Sequence, residues 1–150
     1  MSAATIYRIK KKGYLLYSSV KTVSGFWIAA PPYFLMAEDN ANSDALSNAI
    51  RAIIKNDDPV RVPDPKDWKE FNREFENETG VSSKDLNRST TMCCDVSKKD
   101  SVMIFTPTKH AEKPDRGFLH KRDEEKVSIL FTASDQEIYE AFMLAFSRCE

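Results

Sequence analysis

Thr5-Ile6-Tyr7-Arg8-Ile9-Lys10-Lys11-Lys12-Gly13-Tyr14-Leu15-Leu16-Tyr17-Ser18-Ser19-Val20 is two runs of β-branched and aromatic residues joined by a lysine-rich stretch that ends in glycine. Such a pattern predicts a β-hairpin. Moving outward, Phe26-Trp27-Ile28-Ala29 is expected as a third strand closed by Pro31-Pro32, and Tyr33-Phe34-Leu35-Met36 as a fourth short strand leaving that turn. Proline cannot donate to a central ladder, which is why the pair reads as punctuation. Residues 90–96 and 101–106 flank Ser97-Lys98-Lys99-Asp100 and predict a second hairpin, and residues 127–131 return as a strand.

Helices are expected between and after these strands. Asn42 or Ser43 can cap one whose apolar positions, Ala45, Leu46, Ala49, Ile50, Ile53 and Ile54, recur every three or four residues. Asn56-Asp57-Asp58-Pro59 ends it, and Pro63 and Pro65 mark an extended linker. Asp64-Pro65-Lys66-Asp67 then offers an N-cap and a first-turn proline for a helix lined by Trp68, Phe71 and Phe75 and stopped by Gly80. Residues 82–87 form a turn or a short helical segment. The last helix is capped by Ser134 or Asp135, with Glu137 as the capping-box acid and Ile138, Ala141, Phe142, Ala145 and Phe146 on its apolar side. Residues 33–54 and 128–146 both run strand, polar cap, helix, which reads either as an internal duplication or as a likeness that any two amphipathic helices can share. The expected class is therefore α+β: a mostly antiparallel β-sheet with about three to four helices packed on it, in a single domain spanning residues 1–150.

The bulk properties agree with a globular chain. A 150-residue chain buries roughly 70% of its unfolded surface, enough for one core. Lysine plus arginine (22) nearly cancel aspartate plus glutamate (23), so there is no general attraction to nucleic acid or to an anionic membrane. The N-terminus reaches Lys10-Lys11-Lys12 without a long apolar run, which argues against a secretory or spanning segment and for the cytoplasm. The three cysteines point the same way: Cys93 and Cys94 are adjacent and Cys149 stands apart, with no disulfide framework.

Catalytic chemistry has little to work with. His110 and His120 fall in the charged stretch 109–126, which Pro114 and Gly117 interrupt and which is expected to be a mobile loop unless Phe118 and Leu119 pin it. A histidine-dependent ribonuclease is the enzymatic alternative, and solvated loop histidines are the plainer one. Cys93, Cys94, His110 and His120 lack the paired short spacings of a zinc site, no glycine-rich phosphate loop occurs, and no cofactor is expected. The cations from Lys98 to Lys126 could serve a nucleic-acid-binding adaptor, but Asp100, Glu112, Asp115, Asp123, Glu124 and Glu125 dilute them.

The acidic signal is stronger. Asp57 and Asp58 precede a helix on which Asp67, Glu70, Glu74 and Glu78 recur at three- and four-residue intervals beside the aromatic face. Like charges so spaced repel by a few tenths of a kcal/mol per pair. A basic partner would relieve that repulsion, although solubility and the helix N-terminus account for much of it without a partner. These six acids are the candidate binding residues.

Gly25-Phe26-Trp27-Ile28-Ala29, Pro63-Asp64-Pro65-Lys66-Asp67-Trp68, Ile104-Phe105-Thr106-Pro107-Thr108-Lys109 and Ala145-Phe146-Ser147-Arg148-Cys149-Glu150 resemble, in that order, the immunity proteins (CdiI) of bacterial contact-dependent growth inhibition. The likeness spans the chain from about residue 24 onward. It implies a monomer that binds the C-terminal toxin domain of a CdiA effector, commonly a nuclease, in a one-to-one complex and blocks the toxin's active site. An acidic ridge would suit the phosphate-binding cleft of such a nuclease.

Overall fold

In the computed structural model, which describes residues 2–54 and 60–150, the first hairpin forms as β1 (Ser2–Ile9) and β2 (Gly13–Lys21). Its turn requires glycine at position 13, where φ is +101° and an added Cβ would stand 1.9 Å from the Met36 carbonyl oxygen. Beyond it, the two short strands expected around Pro31-Pro32 are one strand, β3 (Trp27–Met36). The prolines are accommodated because β3 is the sheet edge and because the register against β2 slips between Tyr17 and Ser18, opposite the proline pair.

The second hairpin is longer than the sequence suggests. β4 (Met92–Lys99) and β5 (Val102–His110) leave only Asp100 and Ser101 to turn, with Asp100 at φ +56°. The strand order is β3-β2-β1-β4-β5, and every pairing between these strands is antiparallel. The outer edge of β5 is shared by β7 (Val127–Leu130), along residues 102–105, and β6 (Phe118–His120), along residues 108–110. The stretch expected as a mobile loop is thus partly strand. Phe118 pins it, its ring 4.5 Å from that of His110 and 5.8 Å from that of Tyr7, while Leu119 points outward, 52% exposed.

Strand alternation gives the sheet two unequal faces. On the larger, Ile6, Leu16, Val96, Met103 and Phe105 lie beneath α1 (Ser43–Ile53) and α4 (Asp135–Ser147). Asn42 caps α1 by accepting from the Ala45 amide, and Ser134 and Glu137 close a capping box on α4. Phe142 is the centre of this core, with ring centroids 4.8 Å from Phe146, 5.2 Å from Tyr14 and 6.4 Å from Phe105. Arg51 ties the two helices together, pairing with the Asp135 carboxylate and donating to the Ala133 carbonyl at 2.6 Å.

The smaller face buries Ile9, Leu15, Tyr17 and Val81 against Tyr33, Phe75 and Leu86. Here lie α2 (Trp68–Thr79) and the one-turn α3 (Ser83–Leu86), which Ser82 and Asp85 cap reciprocally. Within Asp64-Pro65-Lys66-Asp67 the cap is Asp67, whose carboxylate accepts from the Lys69 and Glu70 amides, so α2 starts after Pro65 and the proline lies outside its first turn. Asp64 instead accepts from the Ser24 amide at 3.1 Å, fastening the linker to the β2–β3 turn. Gly80, at φ +72°, ends α2 as expected.

Candidate functional site

α2 is attached to the sheet by a narrow stripe. Of its twelve residues only Thr79 is buried, and Phe71 and Phe75 are partly covered; Phe75 meets Tyr17 and Tyr33 edge-on at 5.7 Å each. The rest of the helix faces outward, and this is what presents its acids. Glu70 and Glu74 stand with Asp67 and Phe71 along a shallow groove whose other wall is Ile28, Pro63 and Pro65. One turn further, Glu78 is close enough to Tyr33 to help raise its phenol pKa, after the larger effect of burial.

Asp57 and Asp58 lie outside the described residues. Of the other four, Asp67 spends its carboxylate on the cap, and Glu70 faces Arg73 at 3.8 Å with both side chains more than half exposed, a geometry of little energetic weight. Glu74 and Glu78 form no ion pair with another described residue. Their charges are turned outward and uncompensated on the helix itself.

The histidines sit on strands, not in a loop. His110 ends β5, where Nε2 donates to the Thr91 carbonyl at 2.6 Å. His120 ends β6, where Nε2 donates to Asp95 Oδ2 at 2.5 Å. Asp95 also accepts from Thr5, whose hydroxyl meets that of Ser19 at 3.1 Å, so a polar chain crosses the small face from β2 through β1 and β4 to β6. Residue spacing gave no sign of it, since Asp95 and His120 are brought together only by both strands pairing with β5.

Adjacent cysteines point to opposite faces, as alternation requires: Cys94 enters the main core and Cys93 the other side. Burial raises the Cys93 thiol pKa. The neighbouring Cys149 thiol and then burial raise that of Cys94, while the Cys94 thiol lowers that of Cys149, whose Sγ donates to the Cys93 carbonyl at 3.2 Å. Among the described residues no three His, Cys, Asp or Glu side chains converge as metal ligands.

At the far end of α2, an open cleft of about 870 Å³ lies between α3 and residues 110–117, lined by Lys84, Arg88, Lys113 and Arg116 with Asp115. The near-neutral total therefore conceals a separation of charge, with acids along α2 and cations around this cleft.

A family model described as CDI immunity protein (CdiI) matches residues 14–149. The chain belongs to that family. The match starts at the second strand of the first hairpin and takes in both candidate surfaces of this immunity protein. Among curated proteins none matches the chain in sequence. Solved structures that share its fold include the following two. A protein of unknown function from Neisseria meningitidis superposes with a TM-score of 0.70 at 13% identity, covering 99% of this chain and 95% of that one. A chain of the CdiA-CT/CdiI toxin and immunity complex from Yersinia pseudotuberculosis does so with a TM-score of 0.69 at 16% identity, covering 99% and 97%. Among the described residues of this CdiI-family chain, no helix is long and apolar enough to cross a membrane.

Proposed function

We propose that this protein protects the cell that makes it by binding the C-terminal toxin domain of its cognate CdiA effector, one to one, in the cytoplasm. The observation that carries the proposal is family membership across residues 14–149. The fold shared with a chain of a toxin and immunity complex supports it, and so does the architecture. α2 spends almost none of its surface on its own core, leaving Glu70, Glu74 and Glu78 free to meet a second molecule.

Protection works by obstruction, without turnover. The acids of α2 approach a cationic surface on the toxin, such as the phosphate-binding cleft of a nuclease, and charge of opposite sign speeds their encounter. Each imidazole is engaged by an acceptor within the fold, His110 by Thr91 and His120 by Asp95, an arrangement suited to positioning the strands. Co-expression with the toxin domain encoded immediately upstream tests the reading. Cells carrying both should grow as cells carrying neither, and unabated toxicity in the presence of folded protein would refute it.

A further inference from the structure

One end of the sheet carries an apolar patch that the described fold leaves uncovered. Val23 and Phe26 of the β2–β3 turn and Trp27 at the start of β3 are 61, 55 and 52% exposed, and Val60 of the linker and Trp68 at the start of α2 are 86 and 43% exposed. Scattered exposed apolar residues are ordinary, but contiguous ones carrying several aromatics mark binding surfaces. Phe26 and Trp68 are contiguous with each other and with Phe71. The Phe26 ring meets that of Trp68 edge-on at 5.7 Å, and Trp68 meets Phe71 at 6.0 Å.

The patch is held in shape by hydrogen bonds rather than by a core beneath it. The Val23 amide donates to the Val62 carbonyl at 2.9 Å, the Val62 amide to the Lys21 carbonyl at 3.1 Å, and the Ser24 amide to Asp64. Linker and hairpin turn are thereby laced into one unit, so the aromatics are presented with little conformational freedom left to lose. Low ordering cost and large rigid rings are what make tryptophan and phenylalanine effective at the centre of an interface.

Charge says what kind of surface fits. Three acids, Asp67, Glu70 and Glu74, against one cation, Lys66, border the patch along the groove that Phe71 shares with Ile28. On the other side, the Lys21 ammonium lies 5.7 Å from the centre of the Trp27 ring, so one face of that ring already receives a cation from its own chain. Acids beside aromatic faces form a setting in which an arginine or lysine is held by ring and carboxylate together.

We propose that Phe26, Trp27 and Trp68 are the apolar centre of the toxin-binding surface, with Glu70 and Glu74 at its rim, and that the toxin face seated there is cationic and stacks an arginine or lysine side chain on the exposed rings. This rests on the immunity reading above and goes beyond it by naming aromatic anchors and the chemistry they receive.

The test is a titration of the purified full chain and its variants against the toxin domain encoded immediately upstream, with thermal unfolding recorded for each variant. Phe26→Ala and Trp68→Ala should each weaken binding by about 30-fold or more through faster dissociation, the size expected of central aromatic anchors. Glu70→Gln with Glu74→Gln should slow association and flatten its dependence on salt. Lys84→Ala with Lys113→Ala, in the distant cleft, should leave affinity unchanged. If the unaltered chain binds and folded Phe26→Ala and Trp68→Ala variants bind equally well, the patch is not the site and the immunity reading stands. If the unaltered chain does not bind, both fall.

Discussion

Lys12, in the turn of the first hairpin, places its ammonium 2.8 Å from Asp85 Oδ2 and 2.7 Å from the Gly80 carbonyl, joining the start of the chain to α3 and to the end of α2. The Asp85 side chain is only 10% exposed, reaches Arg88 at 3.3 Å and accepts from the Ser82 amide as the acid of a capping box. Lys12, and then the Ser82 amide, hold its carboxyl at a pKa of about 2. Because the three interactions meet at one carboxylate, losing it affects a hairpin and two helices at once.

Asp85→Ala should therefore destabilise the protein by about 1.5–3 kcal/mol, the range for losing hydrogen bonds made by a charged group, measured as a shift in urea midpoint at neutral pH. A depressed carboxyl pKa stabilises the fold above the unfolded value of roughly 3.9, and the contribution fades as pH falls through about 2. Lys12→Met raises the folded pKa toward the unfolded one. Acid unfolding of that variant should thus begin at higher pH than in the unaltered chain.

Phe142→Ala removes the ring on which Tyr14, Phe105 and Phe146 all converge. A buried phenylalanine deleted from such a site costs about 3–5 kcal/mol. Calorimetry should show a large fall in Tm, and an unchanged Tm would mean that this face is not the main core.

Thiol chemistry should separate the three cysteines. Cys93 and Cys94 are 3% and 0% exposed, whereas Cys149 is partly open and its pKa is lowered by the neighbouring Cys94 thiol. Alkylation of native protein near pH 8 should modify Cys149 first, with Cys93 and Cys94 reacting only in denaturant. Mass spectrometry of the labelled peptides checks this, and early labelling of Cys94 would contradict the packing.

His120→Ala breaks the polar chain through Asp95 at its exposed end. If protection needs no acid-base chemistry, toxin affinity should stay within about threefold, as for ordinary surface substitutions. Loss of protection by a folded His120→Ala variant would assign this relay a functional role.

Much of the fold was legible because it is written in local periodicity. Gly13 and the flanking aromatic runs predict the first hairpin, Asn42 and Ser134 mark helix starts, and Ile50 and Phe142 lie on the faces their spacing assigns. Failures occurred where neighbours overrule local preference. Pro31 and Pro32 interrupt a central strand but not a bulged edge, and edge position belongs to the whole sheet. Likewise β6 forms only because β5 supplies hydrogen bonds that a charged, proline-containing segment does not suggest.

Surface features were harder to see. The α2 acids announce themselves by spacing, yet that Asp67 is consumed as a cap and Glu74 is not depends on where the helix begins. The Phe26 and Trp68 pairing joins residues 42 positions apart, and aromatic content alone predicts burial, not display. Exposure is a property of the assembled molecule, so no local pattern could announce it.

Direct obstruction makes a quantitative demand that enzymatic detoxification does not. Toxin activity should be followed on the toxin's own substrate while the immunity protein is added in measured portions. Obstruction predicts a linear decline that reaches zero at one equivalent, with intact toxin recovered when the complex is denatured and separated. Full inactivation by a small fraction of an equivalent, or undiminished activity with excess folded protein present, would contradict it.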